Sequence, residues 1–304
     1  MICGTRSSEL ALAQTQLVIE ALSALYPETV VKRRLVMTSG DRFSRKQIGE
    51  LGEVGAFVSD IDELLTKGVI DFAVHSLKDI PTRLSDGIEL VAVLPRGDPS
   101  DFLVSPVPLP DLPPGSRVGT SSLRRRAQIL RLRPDVSVVP LRGNVPTRIG
   151  KVAAREIEAA VVAKAGLDRL VVEPAGFTLP ITDFVPAPGQ GAIAVVSREG
   201  SKESSQLHLL NHEPTRVEVE VERLVMQVLG AGCTAPVGIH ASLRGNRVSV
   251  RAMVLSLDGR KCVKMNVEIA RSNAKRGAKR FAEKLCKLGG RSLVETTESK
   301  QVDR

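Results

Sequence analysis

One short pattern occurs twice in this 304-residue chain, and it restricts the architecture more than any other feature. Gly4-Thr5-Arg6-Ser7-Ser8-Glu9-Leu10 resembles Gly119-Thr120-Ser121-Ser122-Leu123, and each stretch then reaches an Ala-Gln pair, Ala13-Gln14 and Ala127-Gln128. A second echo follows in the same order. Ile70-Asp71-Phe72-Ala73-Val74 resembles Ile157-Glu158-Ala159-Ala160-Val161. Either echo alone is close to chance, whereas two in the same order imply a duplicated structural unit. In the first copy, residues 1–5 read as a strand and 8–25 as a helix, because Leu10, Ala13, Leu17, Leu22 and Leu25 recur at near-helical spacing, with Ser7 or Ser8 as the cap. Residues 30–37 read as a strand, 38–54 as a mobile polar loop, 56–65 as a helix and 69–75 as a buried strand. In the second copy the sequence predicts strands over 117–120, 136–141 and 157–163, and helices over 122–132 and 145–155.

Strands alternating with helices argue for an α/β fold of two similar lobes, each with a largely parallel sheet. The Pro-, Asp- and Ser-rich stretch 95–114 marks a boundary, and 186–194 a return crossing. Beyond about residue 214 the pattern changes. A helix over 217–228 precedes strands within 237–269, with turns at Arg244-Gly245-Asn246 and Asp258-Gly259-Arg260, and a helix over 273–288 is closed by Gly289-Gly290. This reads as a small α+β C-terminal domain with an antiparallel sheet. The expected division is 1–95 with 192–213, then 96–191, then 214–304.

The formal charge of +9 first suggests a polyanionic partner. With no Trp, one Tyr and seven Phe, however, the chain lacks the aromatic platforms that single-strand and RNA binders stack bases on. The surplus is also misplaced for that role. Residues 215–304 hold 18 Lys/Arg against 9 Asp/Glu, so the remaining chain balances at 25 against 25. No nucleic-acid partner is expected, and the amphipathic basic helix over 273–288 reads as a solvated face packed on its sheet. The start of the chain shows no basic segment followed by an apolar one, and no apolar run approaches a membrane span, so neither export nor a membrane is expected. Cys3, Cys233, Cys262 and Cys286 form no CxxC pair, and the histidines show no ligand spacing; no metal is expected, and a reducing cytoplasm is the default.

Inside the balanced part, arginines concentrate. Arg124 and Arg125 fall in the first turn of a helix, where the macrodipole disfavours cations unless an anion sits there. Arg142 and Arg148 flank the next strand-to-helix turn, and Arg6 sits in the matching turn of the first lobe. Ligands of open α/β sheets bind at such strand ends, so these five read as anion-binding residues. For Arg126, Arg131 and Arg133 a solvated basic face is an equal reading. Lys78-Asp79 follows the buried strand, where the carboxylate suits acid–base work, although the local sequence fits a turn Asp better. His75 reads as a satisfied strand histidine. Small residues surround Cys233, which makes it a candidate nucleophile or attachment site, with a small loop residue as the equal alternative; Cys262 and Cys286 read as core.

Read together, these segments resemble the porphobilinogen deaminase (hydroxymethylbilane synthase) family. The matching pieces are Thr5-Arg6-Ser7-Ser8-Glu9-Leu10-Ala11, His75-Ser76-Leu77-Lys78-Asp79-Ile80-Pro81, Val118-Gly119-Thr120-Ser121-Ser122-Leu123-Arg124-Arg125, Leu141-Arg142-Gly143-Asn144-Val145-Pro146-Thr147-Arg148, Ala165-Gly166-Leu167-Asp168-Arg169-Leu170, Pro188-Gly189-Gln190-Gly191-Ala192 and Gly232-Cys233-Thr234-Ala235-Pro236-Val237-Gly238. They run in family order along nearly the whole chain. The resemblance implies lobes like those of type II periplasmic binding proteins and a transferase that joins four porphobilinogen molecules head to tail with loss of ammonia. Its product, hydroxymethylbilane, enters tetrapyrrole (porphyrin, haem) biosynthesis and passes to uroporphyrinogen-III synthase. It further implies a monomer and a covalent dipyrromethane cofactor on Cys233, assembled from two substrate units.

By the same resemblance Asp79 is the catalytic acid–base. Ser8, Lys78, Thr120, Ser121, Ser122, Arg124, Arg125, Arg142, Arg148 and Gln190 hold the cofactor, and Arg6, Arg142, Arg148 and Arg169 hold substrate carboxylates. Two departures stand out. Leu51-Gly52-Glu53-Val54-Gly55-Ala56-Phe57 lacks the lysines usual in the family's mobile loop, leaving Arg45 and Lys46 as nearby cations, and Leu229-Gly230-Ala231-Gly232 stands where Leu-Glu-Gly-Gly is common. A non-catalytic, two-lobed anion-binding module is the competing reading; it leaves Cys233 without a use.

Overall fold

The computed structural model describes residues 1–36, 59–232 and 235–302. The mobile loop expected over 38–54, its cations Arg45 and Lys46, and Cys233 lie outside the described residues. Among the described residues the strands are β1 (Ile2–Thr5), β2 (Lys32–Leu35), β3 (Phe72–Ser76), β4 (Ile88–Val93), β5 (Asp101–Val104), β6 (Arg117–Gly119), β7 (Ser137–Val139), β8 (Ala159–Ala163), β9 (Gly176–Leu179), β10 (Ile193–Arg198), β11 (Val237–Arg244), β12 (Arg247–Leu255) and β13 (Cys262–Ala270). The helices are α1 (Glu9–Leu25), α2 (Ser59–Thr66), α3 (Leu123–Leu132), α4 (Val145–Ala153), α5 (Lys164–Leu170), α6 (Lys202–His208), α7 (Glu213–Leu229), α8 (Ala274–Lys287) and α9 (Gly290–Val302).

The chain forms two compact units, one of Met1–Gly97 with Ala192–Arg216, the other of Asp98–Gly191 with Val217–Arg304. The first unit holds a five-stranded sheet in the order β2-β1-β3-β10-β4. Its core is built from Cys3, Val18, Leu22, Phe72, Val74, Ile193 and Val195. The second unit holds a five-stranded sheet ordered β7-β6-β8-β5-β9 and a three-stranded antiparallel sheet ordered β11-β12-β13. The small sheet alternates apolar and polar residues, and its apolar row (Val237, Ile239, Val248, Val250, Ile269) packs with Val225 of α7 and Phe281 of α8.

The duplication is visible in detail. Each large sheet begins with a parallel trio, β2-β1-β3 and β7-β6-β8. Gly4 and Gly119 occupy the same place in each trio, and a Cβ there would lie 2.4 Å from Ile70 Cδ1 or 2.6 Å from Ile157 Cδ1, so an isoleucine packs against the glycine in each copy and would have to shift for a side chain. The backbone N–H of Ile2 donates to Asp71 Oδ2 and that of Arg117 to Glu158 Oε2, both at 2.6 Å. Ser8 caps α1 through the Ala11 N–H, and Ser122 caps α3 through the Arg125 N–H.

The sheets are mixed rather than largely parallel. β10 runs antiparallel to β3 and β4, and β5 runs antiparallel to β8 and β9. Each is the strand on which the chain enters or re-enters a unit at the junctions near residues 97 and 191. The Pro-rich stretch read as a boundary therefore contains β5, and the stretch read as a crossing leads into β10. Gly289-Gly290 does not end the helical region, because Gly290 opens α9. Cys262 and Cys286 are half-buried and pack against the margins of core clusters, since Cys262 opens an edge strand and Cys286 lies at the end of α8.

Candidate active-site residues

In the first unit, β1 and β3 are adjacent and parallel, so their carboxyl ends share one edge of the sheet. The first contributes Arg6 and Ser8, the second Lys78 and Asp79. Asp79 ends a single 3-10 turn, Leu77–Asp79. That turn is fixed at both flanks. Leu77 N–H donates to Ala192 O at 3.0 Å and Ile80 N–H to Leu77 O at 3.1 Å, while Leu77 and Ile80 are buried. Two buried apolar anchors thus hold an exposed carboxylate between them. Ser76 is tied to α1 by the Gln14 amide, whose Nε2 donates to Ser76 Oγ at 2.9 Å.

Behind this edge, His75 is buried, and among the described residues its Nε2 has no hydrogen-bond partner, in contrast to the satisfied strand histidine expected from the sequence. Burial, reinforced by the charge of Arg6, pushes the imidazole down from 6.5 to about 4. His75 is therefore neutral at pH 7, and the positive field of Arg6 reaches it.

In the second unit, the β6-to-α3 turn is knitted by the three hydroxyl residues. Thr120 Oγ1 accepts from Ser122 N–H at 3.2 Å, and Ser122 caps α3. Ser121 Oγ donates to Leu141 O at 2.9 Å and accepts from Leu141 N–H at 3.2 Å, which fixes the loop carrying Arg142. Asn144 caps α4 by accepting from Thr147 N–H at 2.9 Å. Gly143 has a φ of +107°, a conformation that favours glycine, and its carbonyl accepts from Arg148 Nε at 2.9 Å. Burial weakens the hold of Arg148 on its proton, and the neighbouring charge of Arg125 adds to this. Arg169 donates to Gly191 O at 2.5 Å, and burial pulls its pKa down to about 10.

Arg124 and Arg125 are buried rather than presented at the surface, at 4% and 6% exposure. They share the fully buried carboxylate of Asp101. Burial opposes ionisation of Asp101, but the two guanidinium groups outweigh it and hold the carboxyl well below the usual range. Gln190, itself buried, donates to Asp101 Oδ1 at 3.0 Å and to Pro99 O at 2.8 Å. The second unit thus brings Arg124, Arg125 and Gln190 together on a residue the sequence reading passed over, with the Arg125 charge also felt at Arg148. Arg133 is spent structurally on Asp135 and the carbonyls of Leu109, Pro110 and Leu112. Glu222, also missed, is fully buried and accepts from Gly189 N–H at 2.6 Å and Ala241 N–H at 2.7 Å. Among the described residues no helix is long and apolar enough to cross a membrane.

Two family models match the chain. The porphobilinogen deaminase dipyromethane cofactor binding domain covers residues 1–206, and the porphobilinogen deaminase C-terminal domain covers residues 216–287. A probable porphobilinogen deaminase of Methanosarcina mazei is 43% identical, covering 97% of this chain and 94% of that protein. The porphobilinogen deaminase of Syntrophus aciditrophicus is 39% identical, covering 99% of this chain and 100% of its own. Among solved structures, a nutrient binding protein from Burkholderia cenocepacia bound to methionine is similar with a TM-score of 0.41 and 12% identity, covering 68% of this chain and 89% of that one.

Proposed function

The chain belongs to the porphobilinogen deaminase family, and from that premise we propose that it joins four porphobilinogen molecules head to tail, with loss of ammonia, to give hydroxymethylbilane for tetrapyrrole biosynthesis. The cofactor is the dipyrromethane of the matched domain. When bound, it supplies an anchored, nucleophilic pyrrole on which the chain starts. The donor set of the second unit suits such a polycarboxylate. Two buried guanidinium groups share one carboxylate there, and among the described residues no carboxylate pairs with Arg148. The attachment point is Cys233.

Asp79 is the residue on which the chemistry turns. Its carboxylate lies exposed on a turn that two buried neighbours hold still. It assists departure of ammonia from the substrate aminomethyl group, offsets the positive charge of the resulting methylene-pyrrole cation, and takes the proton lost when a pyrrole carbon is substituted. Arg6 and Lys78 belong to the same sheet edge and bind substrate and cofactor carboxylates, as do Arg142, Arg148 and Arg169 in the second unit. Ser8, Thr120, Ser121 and Ser122 order the turns that carry them. We assign Arg124, Arg125 and Gln190 to the cofactor as well, acting from a buried cluster.

The three-domain division, 1–95 with 192–213, 96–191 and 214–304, gives these roles separate homes: the acid–base in the first, the arginines in the second, the attachment cysteine in the third. A monomer, a cytoplasmic location and transfer of the product to uroporphyrinogen-III synthase complete the reading. The observation that carries it is the match of both domain models in order, with relatives aligned over nearly the full length. Both sequence relatives named above carry the porphobilinogen deaminase name. The test is to incubate the protein with porphobilinogen and follow substrate, ammonia and product mass. One ammonia per porphobilinogen consumed and a linear tetrapyrrole product are expected. Binding without consumption would refute the reading.

A further inference from the structure

Asp101 opens β5 and exposes none of its surface. Its Oδ2 accepts from Arg124 Nη1 at 2.6 Å, and its Oδ1 accepts from Arg125 Nη2 at 2.7 Å, Arg125 Nε at 2.9 Å and Gln190 Nε2 at 3.0 Å. Both guanidinium groups are also tied to backbone, Arg124 through the same nitrogen that meets Asp101 and Arg125 through its other terminal nitrogen. Arg124 Nη1 donates to Val185 O and Arg125 Nη1 to Val161 O, each at 2.9 Å. Both arginines lie in the first turn of α3, where the helix end adds partial positive charge of its own.

The stoichiometry is the informative point. Taking an uncompensated charge out of water costs several kcal/mol. Here one carboxylate serves two cations, and a surplus positive charge is left in a dry place. Among the described residues the geometry is ordered while the charge stays unbalanced, an arrangement that a further anion such as a cofactor carboxylate would complete. We propose that Asp101 is a positioning residue for the reaction: it locks Arg124 and Arg125 so that their remaining donors and surplus charge are directed to the dipyrromethane carboxylates. This rests on the assignment of those two arginines to the cofactor. Gln190 acts with it, bracing Asp101 Oδ1 from the segment that Glu222 ties down at Gly189.

The test uses the full chain as native protein, Asp101→Asn and Asp101→Glu, each incubated with a series of porphobilinogen concentrations. Intact-mass spectrometry reads the fraction carrying the cofactor, and thermal melting reads the folded fraction. Asn keeps the volume but removes the charge and turns an N–H donor toward a guanidinium; Glu keeps the charge and displaces the pair. Per folded molecule, loading is expected to fall at least tenfold in Asp101→Asn. In Asp101→Glu loading is expected to require several-fold more porphobilinogen, between native and Asn. If Asp101→Asn does not fold, Asp101→Glu decides alone. Native-like loading per folded molecule in whichever variant folds, with melting alone affected, would reduce Asp101 to a structural role and overturn the proposal. Failure of the native protein itself to load is a different result; it removes the deaminase reading, and the proposal falls with it.

Discussion

His75 is a buried imidazole that the fold keeps neutral, and its cost can be read through pH. In the unfolded chain it takes up a proton near pH 6.5, whereas in the folded protein burial and the charge of Arg6 delay that until about pH 4. The unfolded state therefore binds more protons in between, and stability rises with pH across this window. The penalty is absent above the unfolded value and grows as pH falls from 6.5 toward 4, reaching about 3 kcal/mol there and about 2 kcal/mol between pH 7 and pH 5. Asp101 also loses stability on acidification, but its carboxyl is held below the usual range, so its contribution fades only in stronger acid. Restricting the comparison to pH 5–7 leaves that contribution out, and the difference from a variant lacking His75 isolates the histidine. The assay is urea unfolding followed by circular dichroism at pH 7, 6 and 5, for the native protein and His75→Gln. The native protein is expected to lose about 2 kcal/mol more than the variant over that range. Equal pH slopes would refute the assignment of a neutral, desolvated imidazole.

Three further perturbations follow from the same contacts. Asp79→Asn is expected to lower turnover by about a hundredfold or more, the range of a lost general acid–base, with substrate binding retained; steady-state kinetics read both, and near-native turnover would remove Asp79 from the chemistry. Arg148→Ala deletes a half-buried cation and is expected to raise KM by roughly tenfold or more, the worth of one charge-assisted hydrogen bond, at an unchanged melting temperature; an unchanged KM would contradict its binding role. Glu222→Ala strands the N–H groups of Gly189 and Ala241 and is expected to cost about 2–6 kcal/mol, read by calorimetry, so an unaltered melting profile would show that those donors find other partners.

What the sequence revealed was local, and what it concealed was long-range. The twin turns were legible because capping and strand-to-helix chemistry sit within a few residues, and the structure repeats them bond for bond at Ser8 and Ser122, Asp71 and Glu158. β5 was hidden because four residues, an aspartate and three apolar ones, inside a Pro-rich stretch carry no period of their own; partners 62 and 78 residues on, Ala163 and Leu179, make Asp101 part of a strand. The role of Asp101 was hidden for the same reason, since nothing near it in sequence reveals Arg124 and Arg125. Arg124 and Arg125 do fall in the first turn of α3, and the anion they meet there is the buried Asp101 carboxylate, which lies too far off in sequence to be read. α9 was missed because Gly289-Gly290 looks like a stop, and a weakly patterned segment follows it.

The most direct measurement is peptide mapping by mass spectrometry of native protein incubated with porphobilinogen. An increment of two pyrrole units on the peptide containing Cys233, and on none containing Cys3, Cys262 or Cys286, is the expected result. An unmodified Cys233 in protein that turns over substrate, or the increment on another cysteine, would contradict the attachment on which the whole reading depends.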